Sequence, residues 1–71
     1  MPKYAFRFDV GHRKFRALGT LAFRDDAEAI AAFAALDAEG MAAELWRPDR
    51  KRVLATKLAN GTTIVVDQAK P

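Results

Sequence analysis

The side chains that most often perform catalysis are scarce in this chain. Its 71 residues include a single histidine, His12, and neither serine nor cysteine. A nucleophile activated by a neighbouring base is unsupported, because the threonines lie in strand-like segments without a histidine beside them. The adjacent carboxylates Asp25 and Asp26 could form an acid–base pair, but they begin an alanine-rich segment, where helix capping explains them better. The sequence therefore predicts a protein that is not an enzyme and has no catalytic residues.

Motifs that bind cofactors or metal ions are also missing from the sequence. One histidine and no cysteine argue against a zinc site built from protein ligands alone. The chain has no glycine-rich phosphate loop and no dinucleotide-binding fingerprint. We therefore expect no metal, no cofactor and no small-molecule substrate, and we expect the partner to be a macromolecule.

Charge is unevenly distributed along the chain. Five of the nine acidic residues fall in one alanine-rich segment: Asp25, Asp26, Glu28, Asp37 and Glu39. All twelve lysines and arginines lie outside residues 25–46, and the net charge is +3. We expect an acidic helix and basic strands, so the basic side is the place to look for an anionic partner.

The first half of the chain predicts two strands followed by a helix. Apolar and polar residues alternate over residues 4–10 and again over 15–24, with a break at 11–13, which is typical of a hairpin with one aromatic face. Asp25 and Glu28 have the spacing of a capping box at a helix start. The apolar stripe that follows predicts an amphipathic helix over about 26–39 that stops at Gly40.

The second half predicts three more strands, over residues 42–47, 52–58 and 62–67. Pro48-Asp49-Arg50 forms the first turn, and Asn60-Gly61 is the strongest signal for a two-residue type I′ turn. The element order is then ββαβββ, an α+β fold in which one helix packs on one face of an antiparallel-rich sheet. We expect a single domain over 1–71, with 68–71 as a frayed tail.

The expected turns assign side chains to the two faces of the sheet. A two-residue turn at Asn60-Gly61 pairs Leu58 with Thr63. If Asp49-Arg50 is also a two-residue turn, Trp46 pairs with Val53 and Leu45 with Leu54, and alternation gives two apolar sets. The set assigned to the helix is Ala43, Leu45, Leu54, Thr56, Leu58 and Val65. The set assigned to the far face is Trp46, Val53, Ala55, Ile64 and Val66. The alternative is a register shifted by one residue, which would place Trp46 in the core.

An apolar far face predicts an interaction surface, since monomers rarely expose large apolar patches. The candidate interaction residues are Trp46, Val53, Ile64, Val66, Arg7, Arg16 and Lys57. A chain of this size has a marginal core, so the first hypothesis is self-association as a homodimer, and the second is another protein. The alternative is nucleic-acid binding, because a basic face with an aromatic side chain suits single strands. A further alternative is a phage-type inhibitor, such as an anti-CRISPR protein.

Two segments carry a resemblance to known sequences. Residues 25–29 read DDAEA, and residues 43–55 read AELWRPDRKRVLA. These segments resemble a group of short bacterial proteins of uncharacterised function that share a "DDAEA" helix start and an "AELWxxDRxVA" hairpin. The resemblance covers roughly residues 4–56, and it implies no activity and no functional residues. The layout of strands and helix is also similar to some small phage-encoded anti-CRISPR proteins, in architecture only.

The sequence predicts a cytoplasmic protein, and its bias toward alanine, arginine and aspartate suggests a bacterial or phage genome. No apolar run approaches the ~20 residues of a membrane-spanning helix. The first residues alternate charged and aromatic side chains, and they lack the apolar core of a signal peptide. We therefore expect no contact with a membrane.

Overall fold

The computed structural model describes residues 1–9 and 15–66, with the side chains of residues 15–18 left out. It confirms the α+β class and the order ββαβββ. The predicted break at 11–13, which contains His12, and the predicted tail at 68–71 lie outside the described residues. The elements are β1 Lys3–Asp9, β2 Phe15–Ala22, α1 Asp26–Ala35, β3 Ala43–Arg47, β4 Arg52–Lys57 and β5 Thr63–Val65.

The five strands form one antiparallel sheet in the order β2-β1-β3-β4-β5. Strand β1 therefore lies between β2 and β3, and helix α1 carries the chain across β1 from one to the other. Strands β2 and β5 are the two edges of the sheet. This topology joins the two halves of the chain, because β1 from the first half pairs with β3 from the second half.

The core lies between the sheet and α1. Tyr4, Phe33, Leu45 and Leu54 are its largest fully buried side chains. The ring of Phe6 lies edge-on to that of Phe33, with 5.5 Å between centroids. The aromatic face of the first hairpin therefore packs against the helix, as its alternation predicts.

The helix ends at Ala35, four residues earlier than predicted. The next residue, Leu36, has a ψ of 135°, and its N–H donates to the carbonyl of Phe33 at 3.1 Å. This bond tightens the last turn while the Leu36 side chain packs against the core. Gly40 is not the helix stop, because Glu39 and Gly40, with φ of 53° and 84°, form a separate tight turn.

Strand β4 contains an irregularity that the sequence pattern did not predict. The predicted pair of Trp46 with Val53 is confirmed. Leu45, however, pairs with Ala55 instead of Leu54, because the register shifts by one residue between Leu45 and Trp46. Leu54 is thus the extra residue of a β-bulge, which allows both Leu54 and Ala55 to be completely buried.

The last hairpin turn is one residue longer than predicted. The N–H of Leu58 donates to the carbonyl of Thr62 at 2.8 Å, so residues 59–61 form the loop. Gly61 ends the loop with a φ of 94° and donates its N–H to Leu58. This is the three-residue loop that combines a type I turn with a glycine bulge, whereas a type I′ turn would need positive φ at Asn60 as well.

The bulge in β4 and the longer loop each shift the strand register by one residue. The first shift reverses the predicted faces of the later residues of β4, and the second restores the predicted faces in β5. A shift of one residue moves every following side chain to the other face of the sheet. The bulge therefore turns Lys57 toward the helix and Thr56 away from it, against the prediction. The longer turn adds a second shift, so Ile64 and Val65 keep their predicted faces. Three predicted face assignments are wrong for this reason: Ala55, Thr56 and Lys57.

Candidate functional site

The face of the sheet that points away from α1 is called the outer face here. On β3, Ala43 and Leu45 belong to the core, so the residues that alternate with them point to the other side. The same alternation and the strand register assign the remaining side chains. The outer face includes Ala5, Arg7, Glu44, Trp46, Val53, Thr56, Ile64 and Val66. No described element covers it, because the single described helix packs on the opposite face.

Trp46 lies near the middle of the outer face. Its backbone pairs with Ala5 on one side and with Val53 on the other. The side chain is half-buried, and Ala5 beside it is only 3% exposed although it is not part of the core under the helix. Trp46 therefore shields the sheet on this face, and the hypothesis that places it in the core is wrong.

The guanidinium of Arg7 lies over the ring of Trp46. Its Cζ is 4.5 Å from the ring centroid, which is close enough for a cation–π interaction. Arg7 also forms an ion pair with Glu44, its partner in the β1–β3 register. The Nε of Arg7 is buried and has no hydrogen-bond partner. Its contacts with the Trp46 ring and with Glu44 thus hold the Arg7 guanidinium in place, while its Nε–H donates no hydrogen bond to a described residue.

The structure places three other predicted interaction residues beside Trp46. Val53 pairs with Trp46 and is half-buried. Ile64 pairs with Thr56 and is 48% exposed. Val66 follows β5, donates its N–H to the carbonyl of Leu54 at 2.9 Å, and lies on the side of Ile64 by alternation.

The structure does not place the other two predicted interaction residues, Arg16 and Lys57, beside Trp46. The backbone of Arg16 pairs with Phe8, and its side chain lies outside the described part of the structure. Lys57 does not lie on the outer face, so its predicted position is wrong. It is 3% exposed and faces the helix, as the bulge in β4 requires.

Lys57 instead caps the C-terminal end of α1. Its Nζ donates to the carbonyl of Ala34 at 3.1 Å and to Oγ1 of Thr63 at 2.8 Å, and it lies 5.5 Å from the ring centroid of Phe33. The last turn of the helix has no basic residue of its own. A cation at this end satisfies a free carbonyl and interacts favourably with the helix dipole. The role of Lys57 is therefore structural.

The start of the helix shows the predicted cap together with a network that sequence reasoning missed. Oδ1 of Asp25 accepts the N–H of Glu28 at 2.9 Å, which confirms the capping role of Asp25. Oδ1 of Asp26 accepts the hydroxyl of Tyr4 at 2.7 Å and Nη1 of Arg47 at 2.5 Å. Residues 21 or 22 positions apart make these contacts, so no local pattern could have indicated them.

This network shifts the pKa values of its members. Burial, followed by the hydrogen bond to Asp26, raises the pKa of Tyr4 to about 12. The hydrogen bond from Arg47 holds the pKa of Asp49 below its usual value, and the same bond raises the pKa of Arg47. Arg47 therefore stays charged and paired, and Tyr4 stays neutral, over the whole physiological range.

Two concavities lie on the helix side of the molecule. One, of about 240 Å³, separates residues 36–41 from residues 58–61. The other, of about 310 Å³, lies between Leu36 and the exposed Leu21 and is floored by Phe6 and Phe8. Both are separate from the outer face.

Two further features concern the described part of the chain. It contains no group of three or more histidine, cysteine or acidic side chains placed to hold a metal ion. Its helix is not long and apolar enough to cross a membrane.

The chain matches no protein-family model, no curated protein and no solved structure, so the interpretation of the outer face depends on its own geometry.

Proposed function

We propose that this chain is a non-catalytic binding protein that contacts another protein through its outer face. The observation that carries the proposal is Trp46, half-buried beneath the guanidinium of Arg7 on a face that no described element covers. Tryptophan and arginine are the side chains that most often dominate the binding energy of protein interfaces. A pair of them stacked near the centre of an open face supports a role in recognition.

The composition of the outer face favours reversible binding of a partner. Val53 and Ile64 supply apolar area beside Trp46, while Arg7 and Glu44 form an ion pair at one side. The apolar part is narrower than the sequence predicts, because Ala55 lies in the core. An apolar centre with polar groups around it is typical of non-obligate interfaces, whereas obligate ones resemble a core cut in half.

Nucleic-acid binding has less support on this face. Such a surface needs cations on one connected patch. Of the three cations predicted for it, Arg7 is paired with Glu44, Lys57 is buried against the helix, and the side chain of Arg16 lies outside the described part of the structure. The nucleic-acid alternative and the phage-type inhibitor stay predictions from the sequence.

Site-specific photocrosslinking in the cells that make the protein tests the proposal. A photoreactive amino acid at Val53 of the outer face is compared with one at Ala31, an exposed position on α1. We expect protein adducts from position 53 that survive nuclease treatment, and few from position 31. Adducts from position 31 alone, or adducts at 53 that nuclease removes, would contradict the proposal.

Affinity measurements with the identified partner then test the pair at the centre of the face. We expect Trp46→Ala and Arg7→Ala each to weaken binding tenfold or more, since truncation of such residues commonly costs ~2 kcal/mol. The matched control is Arg50→Ala, which removes an exposed arginine from the β3–β4 turn. Equal losses for Arg50→Ala and Arg7→Ala would show that general charge, and not the outer face, drives binding.

A further inference from the structure

Strand β5 leaves backbone groups unpaired at one edge of the sheet. Leu58 donates its N–H to the carbonyl of Thr62, and Val66 donates its N–H to Leu54. In an antiparallel pair, the residues that bond to the neighbouring strand alternate with residues whose N–H and C=O point the other way. Residues 62, 64 and 66 therefore face β4, and the backbone groups of 63 and 65 point outward. No described strand lies on that side.

The β5 edge is only three residues long, and it lacks the charge, proline or bulge that commonly protects an edge strand. Residues 62–65 include no charged side chain and no proline, and Ile64 and Val65 are 48% and 53% exposed. Natural edges are commonly blocked by charge, proline or a bulge. The opposite edge, β2, has such a device, because its register shifts near Gly19, which has a φ of 143°. The two edges are therefore not equivalent.

We propose that a second copy of this chain pairs with β5 in antiparallel register about a two-fold axis at Ile64. Thr63 of one copy then exchanges both backbone hydrogen bonds with Val65 of the other, and the same holds with the copies reversed. Ile64 meets its own counterpart in the close, non-hydrogen-bonded position. The two sheets become one continuous sheet, and the two outer faces form one surface.

Charge makes a second copy the occupant that fits this edge. A residue on a two-fold axis meets itself, so a charged side chain at position 64 would oppose association. The edge is uncharged, although each copy has a net charge of +3. Lys57, the cation on the adjacent strand β4, is directed to the helix carbonyl of Ala34. Along residues 62–65, two copies can therefore approach without placing like charges in contact.

This inference rests on the proposed function as a protein-binding protein, and it names one partner and its register. The interface is short, so we expect a weak dimer whose fraction rises with concentration. Trp46 lies two strands away from β5. Pairing through the β5 edge therefore predicts that Trp46→Ala leaves dimerisation unchanged. A dimer formed through the two outer faces would instead be lost in this variant.

Sedimentation velocity over a concentration series of the full chain is the test. Val65→Pro removes an outward N–H without removing a bond to β4, and Val65→Ala is the control that keeps the N–H. We expect a dimer for the wild type and for Val65→Ala, and a monomer for Val65→Pro, with circular dichroism confirming that each variant is folded. A wild type that stays monomeric, or a Val65→Pro variant that dimerises like Val65→Ala, would overturn the proposal.

A charge-exchange experiment keeps the proposal testable if the proline variant does not fold. Ile64→Lys and Ile64→Glu should each be monomeric, because the two-fold axis places like charges side by side. An equal mixture of the two should dimerise again. Failure of the mixture to associate would exclude Ile64 from the axis. Either result leaves the photocrosslinks at Val53 unaffected, so failure of this inference is distinguishable from failure of the proposed function.

Discussion

Two arginines on opposite faces of the sheet have the same kind of neighbour and different consequences. The Cζ of Arg47 lies 5.5 Å from the ring centroid of Tyr4 on the helix face. The Cζ of Arg7 lies 4.5 Å from the ring centroid of Trp46 on the outer face. Each guanidinium also pairs with a carboxylate. The local chemistry of the two sites is therefore nearly the same.

The difference lies in what each arginine connects. Arg47 bonds to Asp26 of the helix and to Asp49 of the β3–β4 turn, and its side chain is 13% exposed. Among the described residues, Arg7 pairs with Glu44 on the adjacent strand, and its side chain is 29% exposed. A stacked arginine that joins separate elements holds the fold together. An arginine that joins two strands already paired adds little to the fold, which is compatible with the role in binding proposed for the outer face.

The largest expected effect comes from breaking the helix face. Phe33→Ala removes a fully buried ring that touches Phe6 and lies beside Lys57. Such a truncation costs about 3–5 kcal/mol, a large share of the stability of a domain this small. Urea denaturation should show a mostly unfolded variant. Leu21→Ala, at an exposed edge position, is the control and should unfold near the wild-type midpoint.

A smaller loss of stability is expected from truncating either arginine, and its size should differ between Arg47 and Arg7. Arg47→Ala should lower the midpoint of urea unfolding more than Arg7→Ala does, because it releases the helix and the turn together. For Arg7→Ala we expect a loss of about 1 kcal/mol or less, the usual value of a partly exposed ion pair. Equal midpoints, or the reverse order, would contradict the distinction between the two faces.

Alkaline pH should affect the helix face through Tyr4. The pKa of its hydroxyl is about 12 in the folded protein, against 10.0 for the free side chain. The stability contributed by the neutral phenol is therefore complete below about pH 10 and is lost as the pH rises toward 12. Tyr4 is the only tyrosine, so phenolate absorbance reports its titration directly.

The matched variant for this titration is Tyr4→Phe, which keeps the ring and removes the bond to Asp26. We expect a cost of about 1 kcal/mol at neutral pH, and a smaller loss of stability than the wild type between pH 10 and 12. A tyrosine that titrates near its ordinary value in the folded protein would contradict both the burial of the Tyr4 hydroxyl and its contact with Asp26.

Much of this fold could be predicted from local patterns. Alternating residues located the strands, and Asp25 with Glu28 located the start of the helix. The helix end was wrong because Leu36 packs against the core instead of continuing the helix, which is a tertiary effect. The bulge at Leu54 was missed because adjacent apolar residues do not show which of them is the extra one.

The candidate site was predictable in part for the same reasons. The alternation around Trp46 put it on the face that the structure shows. Lys57 was misplaced because one unpredicted bulge reverses every later residue of β4. The stacking of Arg7 on Trp46 joins residues far apart in the sequence, so only the pairing of β1 with β3 reveals it.

We infer that the helix face holds the fold, and we propose that the outer face binds a partner. The nitrogen–proton correlation spectrum of Trp46→Ala tests this division between the two faces most directly. We predict a dispersed spectrum in which changed resonances are confined to neighbours of position 46 on β1, β3 and β4. A collapsed spectrum would contradict the account, because it would show that Trp46 is part of the core that holds the fold.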